Sequence, residues 1–235
     1  MVFPILVGHV PEDRTVPVVL DKCDYLGTGF YVAKHGIAIT AAHLMAAPQP
    51  GAETSPFVLT WDGNAPGARR IMAAIVPDGT DIAILKVESL DNATLPISLR
   101  AVHMGEDVSS IGIPSDGSWG DKRDPRDNRT FKGHVTRSGR FLEISFAAPR
   151  GLSGSPVICQ GAVVAVISGN HRSEALEDQV QESTEQVGAI TKITRVETKA
   201  VVNFGLAEPL SNIRNFRHEQ FQGKTFEDFA KDMNE

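Results

Sequence analysis

The sequence predicts an all-β protein of the sandwich or barrel type. Short runs rich in Val, Ile and Phe recur along the chain, and Gly, Pro, Asn or Asp interrupts them, as is typical of such folds. In residues 140–146, apolar Leu142, Ile144 and Phe146 alternate with polar residues, which is the period of a half-buried strand. No long amphipathic helix precedes the C-terminus. Together these three observations favour a chain built mainly from β-strands.

In chain order, the apolar runs form two successive sets of predicted strands. The first set is 16–20, 29–33, 36–40, 57–61, 70–76 and 81–87. The second set is 108–113, 131–137, 140–146, 155–160, 162–168, 188–196 and 200–206. Each run is rich in residues that favour strands and is bounded by residues that favour turns.

Two polar stretches and the C-terminal region fall outside these strands. Residues 114–130 and 172–186 are predicted to be solvent-exposed loops, because polar and charged residues dominate them. Loops of this length are often functional. Residues 209–221 and 225–233 are predicted to be short helices. Their predicted N-caps are Ser211 and Thr225.

Composition restricts the classes of partner. The formal net charge is −6, which argues against nucleic-acid binding, because affinity for phosphates comes mainly from clustered Lys and Arg. It also gives no attraction to anionic membrane surfaces. No stretch approaches the ~18 consecutive apolar residues of a spanning helix. We therefore expect neither a nucleic-acid nor a membrane partner.

Cysteine usage and the first residues bear on the compartment and on cofactors. The chain has two cysteines, Cys23 and Cys159, which fits a reducing compartment better than a secreted, disulfide-rich protein. The N-terminal segment lacks the basic start of a secretory signal. We therefore expect a cytoplasmic protein. Two cysteines without an HExxH pattern do not make a zinc site, so no metal or organic cofactor is expected.

Three segments carry the residue types that serine hydrolysis requires. His43 follows the strand in GIAITAAHL, Asp81 opens the strand in DIAILKV, and Ser153 lies in the turn RGLSGSPVI. Such chemistry needs a hydroxyl that attacks, an imidazole that takes its proton and a carboxylate that orients the imidazole. Each residue alone has an ordinary structural explanation. Their combination, each beside a strand and in the order His, Asp, Ser, is far more specific.

These blocks resemble a known family. TAAH, DIAIL and GLSGSP are similar to the three signature blocks of the chymotrypsin/trypsin-like serine peptidase superfamily. GTGF at 27–30 resembles the HtrA-like branch, and Ser155 in GLSGSP resembles the glutamyl endopeptidase-like branch. The resemblance covers roughly 27–210 and concerns the protease domain only. It implies two antiparallel six-stranded β-barrels with a C-terminal helix, and serine endopeptidase activity on polypeptides.

The resemblance also implies a domain division and a set of roles. The N-terminal barrel lobe would cover 1–100, the C-terminal barrel lobe 101–210, and a helix or tail 211–235. The catalytic residues would be His43 as general base and then acid, Asp81 as the group that orients it, and Ser153 as nucleophile. The oxyanion hole would be formed by the N–H groups of Gly151 and Ser153.

The family resemblance also implies which residues would bind a peptide substrate. Ala147, followed by Ala148, would form the base of the primary specificity pocket, and Ser168, Gly169 and Asn170 would pair with the substrate backbone. An apolar floor predicts cleavage after small or medium apolar residues.

Two departures from the family pattern bear on the expected cleavage specificity and on the expected mode of activation. Ile167 stands where the glutamyl-specific branch has a histidine, which argues against cleavage after Glu, although His171 nearby keeps that alternative open. Leu152 stands where digestive members carry an aspartate that pairs with a new N-terminus. We therefore expect no trypsin-style zymogen activation.

Other functions are weighed beside the peptidase. A catalytically silent or partner-gated binding module with a protease fold remains an alternative, as does an esterase that uses the same chemistry. A protein partner that activates or restrains the enzyme is kept as one source of control. An α/β-hydrolase is disfavoured, because its acid and histidine follow the serine.

Overall fold

The computed structural model describes residues 2–10, 18–46, 54–62, 65–88, 93–114, 128–172, 178–187, 190–199, 203–221 and 223–234. Within these ranges the strands are β1 (Val2–Gly8), β2 (Asp24–Ala33), β3 (Ile37–Ala41), β4 (Ser55–Asp62), β5 (Ala65–Ile75), β6 (Ile82–Val87), β7 (Asp107–Gly112), β8 (Arg129–Arg137), β9 (Leu142–Ile144), β10 (Pro156–Cys159), β11 (Ala162–Arg172), β12 (Asp178–Val187), β13 (Ile190–Lys199) and β14 (Asn203–Pro209). Short 3₁₀ turns cover Leu20–Lys22, Lys34–Gly36, Ala42–Met45, Leu210–Ile213 and Glu219–Phe221, and an α-helix, α1, covers Phe226–Asn234.

The strands form two closed antiparallel barrels. The first has the order β1-β2-β3-β6-β5-β4 and the second has the order β10-β11-β14-β9-β8-β7. Strands β12 and β13 form a separate two-stranded sheet. The predicted fold class, two six-stranded antiparallel barrels followed by a C-terminal helix, is confirmed.

The first barrel is closed by a strand that the sequence analysis did not assign. Strand β1 pairs with β2 on one side and with β4 on the other. Phe3, Ile5 and Leu6 in this strand are buried. Neighbouring positions are apolar on both faces, so the alternation that reveals half-buried strands is missing.

The strand predicted at 16–20 is wrong where the structure describes it. Val18 lies outside any strand, and Leu20 begins a 3₁₀ turn. The Val18 side chain is buried in a small cluster with Leu6 and residues of β4. Val18 therefore packs its side chain against the first barrel and does not belong to a β-sheet.

The loop predicted at 172–186 is wrong from Asp178 onward. Strand β12 pairs with β13 in an unbroken antiparallel register from Asp178 opposite Lys199 to Val187 opposite Ile190. Polar residues occupy successive positions of β12, so hydrophobic alternation gives no strand signal there. Of the other predicted loop, residues 115–127 lie outside the described part of the chain.

The C-terminal predictions are partly confirmed. Thr225 precedes α1, and its hydroxyl oxygen accepts a hydrogen bond from the main-chain N–H of Asp228 at 3.1 Å, as an N-cap should. Ser211 is not an N-cap, because it lies inside the 3₁₀ turn Leu210–Ile213, which has no side-chain cap.

The C-terminal segment packs on an apolar cluster shared by both barrels. Phe226 and Ala230 of α1 are buried in it with Ile39 of the first barrel and Val163 of the second. The helix therefore packs into a core to which both barrels contribute. No helix in the described ranges is long and apolar enough to cross a membrane.

Candidate active site

The pairing of β3 with β6 brings His43 and Asp81 together. Ala41, the last residue of β3, lies opposite Ile82, the first residue of β6. His43 follows β3 and Asp81 immediately precedes β6, so both lie at the same end of this strand pair. The main-chain N–H of Ala42 donates a hydrogen bond to the Asp81 carbonyl at 3.1 Å, which fixes this end.

The Asp81 carboxylate accepts several hydrogen bonds. His43 Nδ1 lies 2.8 Å from Oδ2 and 3.1 Å from Oδ1. The His43 main-chain N–H donates to Oδ1 at 2.9 Å, and the Ser168 hydroxyl donates to Oδ2. Burial alone would raise the pKa of Asp81, but the hydrogen bonds from His43 and Ser168 outweigh it and lower that pKa. An ionised Asp81 makes Nδ1 the protonated nitrogen, which leaves Nε2 to accept a proton.

The turn that carries Ser153 packs against the first barrel. The Thr28 N–H donates to the Ser153 carbonyl at 2.8 Å. Gly154 has a φ of 83°, and a Cβ atom there would lie 2.0 Å from the Thr28 carbonyl oxygen and 2.2 Å from Thr40 Oγ1. Only glycine allows this close approach. The serine turn is thereby held against β2 and β3, near the end from which His43 projects.

The histidine side chain is partly exposed to solvent. It is 45% exposed, whereas that of Asp81 is 23% exposed. Within the described residues, no hydrogen bond joins the Ser153 hydroxyl to the His43 ring, whose side-chain contacts are with Asp81. Catalytic hydrogen bonds are often long in unliganded enzymes and shorten only when substrate binds.

Main-chain donors lie in the same turn. Gly151 has a φ of 91°, a conformation that favours glycine. In the part of the chain that the structure describes, the N–H groups of Gly151 and Ser153 donate to no other group. They are available to an anionic oxygen. Leu152 between them is fully buried and donates its N–H to Pro149 at 3.1 Å.

The predicted specificity pocket is bridged by a side chain. Ala147 is exposed and Ala148 is buried. The Asn170 side chain accepts a hydrogen bond from the Ala148 N–H at 2.7 Å and donates one to the Ala148 carbonyl at 2.5 Å. Asn170 lies opposite Gly205 on β14, where a Cβ atom would lie 2.8 Å from the Phe146 carbonyl oxygen. The Asn170 side chain therefore links the end of β11 to the Ala148 backbone, a contact that the sequence analysis did not predict.

The strand segment predicted to bind substrate has a free edge. Strand β11 pairs with β10 only through Val166, and β14 covers its other edge through Arg172. The main chain of Ser168, Gly169 and Asn170 therefore presents an edge that no described strand occupies, which suits the addition of a peptide strand.

His171 does not approach the predicted pocket. Its Nδ1 lies 3.2 Å from Glu143 Oε2. Successive strand residues point to opposite faces, and Asn170 points toward Ala148. This geometry weighs against a role for His171 in recognising a glutamate side chain at that pocket.

Sequence reasoning missed polar residues that surround the site. Tyr25 and Thr28 contact the serine turn through their hydroxyl groups, and GTGF was the only signal for Thr28. Glu208, in β14, is 1% exposed and was assigned no role from the sequence. Among the described residues, no group of three or more His, Cys, Asp or Glu side chains is arranged to hold a metal ion.

Glu208 is a buried carboxyl near Asp81. Its Oε1 accepts a hydrogen bond from Asn212 Nδ2 at 2.6 Å. Burial raises its pKa above the ordinary value, although the hydrogen bonds from Asn212 and from the Asp81 main chain oppose this. Because the pKa is higher in the folded state, stability is lost as the pH rises from the unfolded value of about 4.3 through the folded value.

Glu208→Gln should therefore raise the free energy of unfolding at pH 7, because glutamine has no proton to lose. The difference from the unmodified protein should shrink toward zero at about pH 4 and below. Urea unfolding at several pH values measures it, with the exposed residue Glu219→Gln as control. A difference that is equal at all pH values would contradict the assignment of a raised pKa.

The fold and this cluster define a class of protein: a double β-barrel that presents a histidine–aspartate pair beside a serine turn, as in trypsin-like peptidases. A family model described as the trypsin-like peptidase domain matches residues 27–166. That is more than half of the chain, and the chain belongs to this family. The predicted membership of the chymotrypsin/trypsin-like superfamily is confirmed.

One curated protein and several solved structures are similar to this chain. A protein of Sinorhizobium fredii, named as the uncharacterized protein y4bJ, is 29% identical over 170 residues, which are 67% of this chain and 24% of the relative. The chain thus spans about a quarter of that relative. Human heparin binding protein aligns over 91% of this chain and 88% of its own, with 13% identity and a TM-score of 0.56.

A second solved structure is a serine endoprotease from Yersinia pestis. It aligns over 70% of this chain and 53% of its own, with 20% identity and a TM-score of 0.48. The likeness to human heparin binding protein, at 13% identity, speaks for the fold and not for the activity.

Proposed function

We propose that this chain is a serine endopeptidase that hydrolyses peptide bonds through an acyl-enzyme on Ser153. His43 takes the proton of the hydroxyl and later gives it to the leaving amine. Asp81 orients the imidazole and stabilises its charged form. The N–H groups of Gly151 and Ser153 bind the oxyanion of the tetrahedral intermediate. The hydrogen-bonded group of His43, Asp81 and Ser168 is the observation that supports this most strongly.

The free edge of β11 supports a peptide rather than a simple ester as substrate. A chain that pairs with residues 168–170 would form main-chain hydrogen bonds that do not depend on sequence. The edge leads directly from Ser168, which contacts Asp81, to Asn170, which contacts the predicted pocket. A bound peptide would therefore run past the proposed nucleophile.

The hydrogen bonds between Asn170 and the Ala148 backbone support cleavage after small rather than medium-sized residues. With its amide hydrogen-bonded to both polar groups of the Ala148 backbone, little room is left for a large side chain before the scissile bond. A larger residue would have to break both hydrogen bonds, each worth about 1 kcal/mol. We therefore infer cleavage after small apolar residues such as Ala.

Asn170→Gly should open the pocket to larger apolar residues. In a series of peptides that differ only in that residue, kcat/KM for Leu relative to Ala should rise by about 10–100-fold. His171→Gly is the matched control, because it adds a glycine to the same strand end and leaves the bridge intact; its Leu-to-Ala ratio should not change. An unchanged ratio in Asn170→Gly would mean that the bridge does not set specificity.

The environment of Leu152 supports activity without cleavage of a pro-segment. Its side chain is fully buried with Val157 and Ile167 in the core of the second barrel. Apolar packing therefore anchors the middle of the serine turn, where digestive relatives use an aspartate that must await a new N-terminus.

Labelling with a fluorescent fluorophosphonate tests the proposed function. The unmodified chain should take up label and Ser153→Ala should not, because labelling requires the nucleophile, a base and an oxyanion hole. The alternative is a silent or partner-gated binding module with the same fold. Failure of the isolated chain to label under any condition, while folded, would favour that alternative.

A further inference from the structure

Two hydroxyl groups of the first barrel converge on one carbonyl of the serine turn. Thr28 Oγ1 lies 2.8 Å from the Gly151 carbonyl oxygen, and Tyr25 Oη lies 3.0 Å from it. Tyr25 Oη also lies 2.7 Å from the Ile113 carbonyl oxygen, and the Ile113 N–H donates to Thr28 Oγ1 at 3.4 Å. Each hydroxyl has one proton, so Thr28 donates to Gly151 and Tyr25 shares its proton between Gly151 and Ile113.

The Gly151 carbonyl belongs to the peptide group that lies between the two proposed oxyanion donors. The Gly151 N–H and the Ser153 N–H, the proposed oxyanion donors, lie on the peptide groups immediately before and after the one that carries the Gly151 carbonyl. Peptide groups are planar, so fixing the middle group restricts how far the flanking groups can rotate. Gly151 has a φ of 91°, and a glycine at this point otherwise leaves the chain free to adopt several conformations.

We propose that Tyr25 and Thr28 are positioning residues that hold the oxyanion turn in its working geometry, in place of the ion pair that Leu152 cannot form. This inference rests on the proposed function. The two hydroxyls come from β2 in the first barrel and the turn belongs to the second, so the geometry of the oxyanion hole depends on contact between the barrels. Among the described residues, loss of one hydroxyl would leave the Gly151 carbonyl with one side-chain donor instead of two.

The protonation state of Tyr25 suits this role. Its side chain is half-buried, and burial raises its pKa well above the ordinary value despite the hydrogen bond with Thr28. The hydroxyl therefore remains a donor throughout the pH range in which a peptidase of this kind works. Thr28 is fully buried, and water does not replace its hydroxyl easily.

Tyr25→Phe and Thr28→Val each remove one hydroxyl with little change of shape, and Thr28→Ser keeps the hydroxyl as a matched control. With a peptide that has Ala before the scissile bond, Tyr25→Phe and Thr28→Val should lower kcat by about 10–100-fold while KM changes less than about threefold. Removal of a direct oxyanion donor costs about 10²–10³-fold, and a residue that acts through the turn should cost less. Thr28→Ser should stay within about threefold of the unmodified protein.

A second measurement separates this inference from the proposed function. Amide hydrogen exchange of peptides covering 149–155, followed by mass spectrometry, should be faster in Tyr25→Phe and Thr28→Val than in the unmodified protein and in Thr28→Ser. If the unmodified protein neither labels nor cleaves, the proposed function fails, and exchange still tests the positioning role. Thermal unfolding identifies a variant that has lost its fold, and Tyr25→Phe, the milder change, then carries the test.

The inference is overturned by unchanged exchange at 149–155 in folded Tyr25→Phe. In an active protein it is also overturned if KM rises with kcat unchanged, since the hydroxyls would then serve substrate binding rather than the oxyanion.

Discussion

Ser153→Ala is expected to abolish peptide hydrolysis, with kcat reduced by on the order of 10⁶-fold. Without the hydroxyl no acyl-enzyme forms, and His43 has no proton to accept. What remains would be the small contribution of the oxyanion donors and of substrate binding, about 10³-fold over the uncatalysed reaction. The turn itself should keep its conformation, because its main chain is held by the Thr28 N–H and by the Gly154 N–H, which donates to Ile167 at 2.8 Å.

Ser155→Ala is the matched control, because this serine lies in the same turn and is also a small change. Ser155 is fully buried, and among the described residues its hydroxyl has no hydrogen-bond partner. It should keep turnover within a few-fold of the unmodified protein. The comparison is made by progress curves on a quenched fluorescent peptide. If Ser153→Ala retains more than about one hundredth of the activity, Ser153 is not the nucleophile.

The barrels and the His43–Asp81 contact could be predicted because their signals are local. Short apolar runs mark the strands. The blocks that contain His43 and Asp81 each lie at a strand end, and an antiparallel pair brings such ends together. The serine turn was also readable, since Gly151 and Gly154 have the positive φ values that only glycine readily adopts.

What could not be predicted depends on contacts between distant parts of the chain. The hydrogen bond from Tyr25 to Gly151 spans 126 positions, and no pattern around Tyr25 indicates it. The Asn170 bridge is made by a side chain, whereas the sequence predicted only that the main chain of residues 168–170 binds the substrate. Strand β1 was missed because it is apolar on both faces, and β12 because polar residues hide its period. Tertiary pairing decides such segments.

The remaining prediction concerns the carboxylate. Asp81→Asn should lower kcat at neutral pH by about 10⁴-fold, as the loss of the corresponding acid does in the well-studied serine protease triad. The asparagine would nearly match the shape of Asp81 but would carry no charge. It would no longer stabilise an imidazolium, and its amide hydrogens could face His43 Nδ1 and favour the wrong tautomer.

Asp78→Asn is the control for a general charge effect, because Asp78 is exposed and lies three residues earlier; its kcat should be unchanged. A loss of less than tenfold in Asp81→Asn would remove Asp81 from the proposed triad.

The pH profile gives an independent check on the same residue. The pKa of Asp81 is lowered because the hydrogen bonds from His43 and Ser168 outweigh the effect of burial, so the carboxylate stays charged between pH 5 and pH 8. A decline of kcat/KM between pH 8 and pH 5 would therefore not come from protonation of Asp81. Ser168→Ala removes one of these hydrogen bonds, so it should raise the pKa of Asp81 and leave that decline in place. If the decline of kcat/KM instead moved to lower pH in Ser168→Ala, this prediction would be wrong. The hydrogen bond from Ser168 would then affect the group that causes the decline, and not only the charge of Asp81.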